Sequence, residues 1–138
     1  MTQKISISRR YLIWLIGVSF VLFQFFLQLS FGVILGAIMS EMKLSALTAS
    51  LLGSAFYYVY TSLQIPAGIL FDRQSARRII TLTAFICSIG CLIFSHSSHA
   101  YSLFWGRFII GTGSAFAFVG VSHLLRTYFP LRQFAFLI

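Results

Sequence analysis

Acidic residues are nearly missing from this chain: Glu41 and Asp72 are the only two in 138 residues, beside ten lysines and arginines. Neither falls inside a long apolar run, so the chain offers no membrane-buried carboxylate to carry a proton. Charged residues make up only 9% of the sequence, too few to clothe a water-soluble surface. The two cysteines, Cys87 and Cys91, lie one helical turn apart, where a disulfide is geometrically poor, and they read as small packing residues. There is no phosphate-cradling glycine loop, no nucleophile constellation and no dinucleotide fingerprint. The chain is therefore expected to hold no catalytic residues and no cofactor, and not to be an enzyme.

What is present is apolar: 59% of residues are hydrophobic, 17% are aromatic, and the mean hydropathy is +0.93. Runs free of charge extend over residues 11–40, 44–71, 79–106 and 108–125, against the roughly 20 residues a helix needs to cross a bilayer. They predict four complete spans at about 11–39, 47–71, 79–94 and 101–125, with Arg107 inside the last. In lipid every backbone polar group must be paired within its own segment, and these runs lack the alternation of barrel strands. The expected fold is all-α, a polytopic transmembrane helix bundle forming one membrane domain over residues 1–138. Beyond Pro130, which cannot continue a helix, an apolar pattern restarts, and a fifth helix is expected from about residue 132, cut off after one or two turns.

The net charge of +8 follows the membrane, not a nucleic acid. Lys4, Arg9 and Arg10 precede the first span, Arg73, Arg77 and Arg78 separate the second and third, and Arg126 and Arg132 follow the fourth. The other two loops hold only Lys43, beside Glu41. By the positive-inside rule the N-terminus, the Asp72 loop and the chain end face the cytoplasm, as in a multi-pass protein of the plasma (inner) membrane. The loops at 40–45 and 95–100 then lie outside. The first apolar run is too long for a signal peptide and is read as a retained helix.

The charged loop carries a pattern, Gly68-x-x-x-Asp72-Arg73-x-x-x-Arg77-Arg78. It resembles the signature joining the second and third helices of the major facilitator superfamily of transporters. A second pattern, Arg107-x-x-x-Gly111-x-Gly113-Ser114-Ala115, resembles that family's helix-four motif at the expected distance. Two departures stand out: Ser75 replaces the usual loop glycine, and Ile110 replaces the polar residue before Gly111. The resemblance implies a facilitator-type secondary carrier that rocks two bundles about a midplane site. It makes the loop residues a conformational latch, with Gly68 letting helices approach closely. It also implies that the further, C-terminal helices of a complete transporter are partners of this chain, so these 138 residues alone should be inactive. A truncated, non-functional membrane remnant and a self-sufficient four-helix membrane protein or assembly subunit are the alternatives.

Arg107 is the most functional-looking residue, since a guanidinium within a span must face the bundle interior or a hydrated cavity. It reads equally as an anion contact, a participant in proton coupling, or a structural group bonded to neighbouring carbonyls. Small residues mark packing faces: Gly32 and Gly36 on the first span, and Gly106, Gly113 and Gly120 every seven residues on the fourth. Gln24 and Gln28, with Tyr57, Tyr60 and Gln64, could line a cavity for a small polar solute or bond helix to helix. The stretches 56–60 and 64–68 are similar to a branch that includes amino-acid and dipeptide carriers, and Pro66 should kink the second helix. His96 and His99 offer two metal ligands at most and read as a solvated loop, with no metal site expected. His123 reads as a satisfied polar group. The expected partners are the lipid bilayer and a small-molecule solute.

Overall fold

The computed structural model describes residues 6–129. Within them the chain forms four helices: α1 (Ile7–Met42), α2 (Ala46–Arg73), α3 (Ala76–Ser95) and α4 (Ala100–Tyr128). No strand occurs among the described residues. The expected fifth helix falls outside them.

The helices overrun the expected spans at both ends, because an amphipathic or charged last turn still satisfies its backbone. α1 absorbs Ser40, Glu41 and Met42, so the first loop shrinks to 43–45. Its turn is made by Lys43 in the left-handed conformation (φ 52°), with the Leu44 N–H reaching the Met39 carbonyl at 3.0 Å. Ser45 then caps α2 by accepting from the Thr48 N–H at 3.2 Å. At the other end of α2, Asp72 and Arg73 belong to its last turn, while Arg77 and Arg78 begin α3. The presumed loop is thus only Gln74 and Ser75. Ser75 is extended (φ −68°, ψ 126°), so the left-handed turn that a glycine would favour is not used there.

α1, α3 and α4 are each long and apolar enough to cross a membrane. α2 is not apolar enough by composition, since Ser50, Ser54, Tyr57, Tyr60, Ser62 and Gln64 dilute it. With 28 residues, about 42 Å at 1.5 Å per residue, it nevertheless runs the full distance between the end of α1 and the start of α3. The helix continues unbroken through Pro66.

α4 is the hub. It packs on all three other helices, whereas α1 and α2 meet only briefly. Twelve of its 29 residues are buried, against three of the 36 in α1. The α3–α4 pair is a meshed seam. A methyl group added at Gly106 would lie 2.9 Å from Phe94, one at Gly113 2.8 Å from Cys87, and one at Gly120 3.3 Å from Ile80. Seven residues forward on α4 answer seven backward on α3, the repeat of an antiparallel left-handed crossing. The glycine stripe expected on the fourth span is a packing face, as glycine allows backbones to close in lipid.

The same step governs α1 on α4. Gly17 presses on Val121, and fourteen residues on, Phe31 meets Arg107, fourteen back along α4. Gln24 and Ser114, both fully buried, stand midway and therefore level with each other. By contrast Gly32 and Gly36 have nothing within 4 Å of an added methyl group, and neither does Gly68. Their expected packing roles are not realised here, because the α1 face that bears Gly32 and Gly36 and the flank of α2 at Gly68 meet no other described helix.

Candidate functional site

The interior where α1, α2 and α4 converge holds two of the buried polar side chains among the described residues. Ser114 turns toward Cys87 on the α3–α4 seam, where Thr83 is also buried, while Gln24 and Arg107 are buried at the convergence. α4 delivers Arg107 there because Gly106 and Gly111 flank it: Gly106 closes on Phe94, and a methyl group at Gly111 would sit 2.9 Å from the Phe56 carbonyl oxygen. The backbone contact on α2 brings the Phe56 ring with it.

Arg107 is only 2% exposed. Its guanidinium carbon lies 4.0 Å from the centre of the Phe31 ring on α1 and 4.7 Å from that of Phe56 on α2. Its Nε has no hydrogen-bond partner. No carboxylate pairs with it among the described residues, since Glu41 ends α1 and Asp72 ends α2. Two desolvated cation–π contacts, each worth ~2 kcal/mol, offset much of the several kcal/mol needed to bury a guanidinium, but they supply no hydrogen-bond acceptor. The cation is therefore left short of hydrogen bonds, its Nε above all. It also lines a pocket of about 150 Å³ between α1, α3 and α4, together with Ser30, Phe31, Cys91 and Phe94.

Below this, polar side chains form a chain from α1 to α2. Gln24 Nε2 donates to Gln28 Oε1 at 3.0 Å, and Gln28 Nε2 donates to the Tyr57 hydroxyl at 3.2 Å. Gln24 Oε1 is buried without a partner. Three of the five residues expected to line a cavity are thus joined. Tyr60 instead stacks on Phe56, centroids 5.7 Å apart, and Gln64 is half-buried with no side-chain hydrogen bond among the described residues. Within the aromatic run 56–60, Phe56 is clamped between Gly111, Arg107 and Tyr60, while Tyr57 joins the polar chain and Tyr58 is exposed.

The charged cluster is separate. Asp72, Arg73, Arg77 and Arg78 are all exposed and form no ion pair among the described residues. Arg77 and Ser75 edge a groove of about 730 Å³ bounded by Ile13, Ile80, His123 and Leu124. His123 stacks on Phe71 at 5.6 Å. His96 caps α3, its Nδ1 3.1 Å from the Leu92 carbonyl oxygen, and no group of three or more metal-ligating side chains occurs among the described residues.

Phe31 and Gly90 belong to none of the sequence motifs. The seven-residue spacing of Gly17, Gln24 and Phe31 was the available signal for the first. A methyl group at Gly90 would meet the Ile110 nitrogen at 2.7 Å, a contact that no single-helix pattern announces.

Comparison with known proteins agrees with a transporter. The "Probable galactarate/D-glucarate transporter GarP" of Escherichia coli (strain K12) is 25% identical over 137 residues, covering 95% of this chain and 31% of the relative. "Probable galactarate/D-glucarate transporter GudP" of the same organism is 35% identical over 86 residues, 58% of this chain and 19% of the relative. "Uncharacterized transporter YybO" of Bacillus subtilis (strain 168) is 27% identical over 110 residues, 80% of this chain and 25% of the relative. The chain thus spans less than a third of the length of these relatives. No solved structure matches. The profile of the Major Facilitator Superfamily matches residues 10–138, nearly all of the sequence. A membrane-spanning bundle whose helices mesh around a buried cation, matched almost end to end by that profile, belongs to the major facilitator superfamily of transporters.

Proposed function

We propose that this chain forms the first four helices of a secondary carrier for a small, polyhydroxylated organic anion of the sugar-acid class. The observation that carries the reading is Arg107: a nearly fully buried guanidinium with no carboxylate partner calls for an anion. A carboxylated solute supplies one. The Gln24–Gln28–Tyr57 chain supplies amide and phenol groups suited to hydroxyls. Relatives named for galactarate and D-glucarate transport support the same solute class. An amino acid or dipeptide would use the cation equally, but it offers fewer hydroxyls to that chain. The carrier sits in the plasma (inner) membrane with its N-terminus cytoplasmic, as the basic residues at 9–10, 73–78 and 126 favour. The Gly68, Asp72, Arg73, Arg77 and Arg78 cluster serves as a latch at the cytoplasmic edge, its partners lying in the remaining helices.

The test is uptake into proteoliposomes by the full-length protein. Saturable D-glucarate uptake, competed by galactarate and lost in Arg107→Gln, is expected. Uptake competed only by amino acids or dipeptides would replace the sugar-acid assignment.

A further inference from the structure

Arg107 holds two aromatic faces where an anion would serve it better. Phe31 is shared by both surroundings of that cation: its ring carries the guanidinium at 4.0 Å, and it also walls the 150 Å³ pocket that Arg107 lines. At about 30 Å³ per water, that pocket has room for a carboxylate and a few waters. Besides Arg107 it presents Ser30 and Cys91, and the Ser30 hydroxyl is engaged only by a long bond of 3.3 Å to the Leu27 carbonyl. The Arg107 Nε is buried and unpaired.

We propose that the pocket receives one carboxylate of the solute, and that Phe31 competes with it for Arg107. In the empty carrier the ring holds the cation in place. On binding, the guanidinium turns from the ring to the carboxylate, which can accept two parallel N–H bonds, while Ser30 Oγ donates a third. A ring attracts a cation through its quadrupole alone and loses to a formal charge at hydrogen-bond distance. Because Phe31 stands on α1, Phe56 on α2 and the cation on α4, the exchange loosens α1 from α4 at the level where their register is set. Occupancy of the site and the packing of α1 are thereby coupled. This rests on the reading of Arg107 as the solute's cationic contact. Phe31 is a positioning residue that sets affinity without being consumed in transport.

The experiment measures D-glucarate binding to the full-length protein in nanodiscs by calorimetry. Phe31→Leu should bind more tightly than native protein, by up to roughly thirtyfold, since a competing contact is removed. A trifluorinated phenylalanine at position 31 keeps the ring's shape but cancels its attraction for a cation, so it should tighten binding in the same direction. That variant decides the matter if Leu disturbs the fold. D-glucarate should also slow alkylation of Cys91, which shares the pocket, while the uncharged polyol glucitol should not. Equal or weaker binding in the fluorinated variant, with Arg107→Gln abolishing binding, would overturn the exchange alone. Native-like binding by Arg107→Gln would instead remove the anion contact on which it rests.

Discussion

Gly90 of α3 meets Ile110 of α4 in the same antiparallel register in which Gly113 of α4 meets Cys87 of α3. Each helix gives up a side chain where the other presents bulk, so neither can shift without driving a backbone into a side chain. The seam is fixed from both sides.

That reciprocity predicts a sharp contrast between glycines. Gly113→Ala would place a methyl group 2.6 Å from the Thr83 carbonyl oxygen and 2.8 Å from the Cys87 nitrogen, backbone atoms that no rotamer can move. A loss of about 1–3 kcal/mol is expected, the usual cost of overpacking. Gly32→Ala, with nothing within 4 Å, should be neutral or slightly stabilising. Thermal unfolding of both variants in detergent checks the pair, and equal melting temperatures would contradict the seam.

Orientation can be tested at the connections. With Cys87 and Cys91 replaced by Ala, a cysteine at Ser97 is expected to react with a membrane-impermeant maleimide added outside intact cells, and one at Ser75 is not. Labelling of Ser75→Cys alone would invert the bundle.

Asp72 is exposed at the last turn of α2, far along the helix from Phe56 and the Arg107 site. In the full-length carrier Asp72→Asn should slow turnover on the order of tenfold, within the range of typical coupling energies, while leaving solute affinity unchanged. Calorimetry beside an uptake assay separates the two effects. Lost binding in a folded Asp72→Asn protein would place the residue at the solute site.

The 138-residue chain by itself should show no saturable uptake when reconstituted, because a facilitator site lies between two bundles and these residues provide less than one. Saturable D-glucarate uptake by this chain alone would refute that expectation and favour a self-sufficient small carrier.

Helix number and order could be read from the sequence because lipid demands long apolar runs, and the Gly106, Gly113 and Gly120 face because its seven-residue period belongs to one helix. Arg107 stood out because a cation in an apolar run is expensive. Its partners did not, since Phe31 and Phe56 are two among sixteen phenylalanines and only the register of α1 and α2 on α4 singles them out. The Gly32 and Gly36 pair shows the converse: a pattern on one helix does not say which helix faces it, and none of the described ones does. Helix ends were underestimated where charges begin, since Glu41, Asp72 and Arg73 still take helical turns at the bundle's edge.

The meshed α3–α4 seam also bears on how the chain enters the bilayer during synthesis. Left alone, α4 would bring Arg107 into lipid at a cost of about 2.5–3.5 kcal/mol on insertion scales. α3 keeps its two cations, Arg77 and Arg78, in its first turn at the membrane edge, and only the four residues 96–99 separate the two helices. The hairpin is thus suited to leave the translocon as a unit, its glycines already facing their partners, with α3 drawing the less willing helix in behind it.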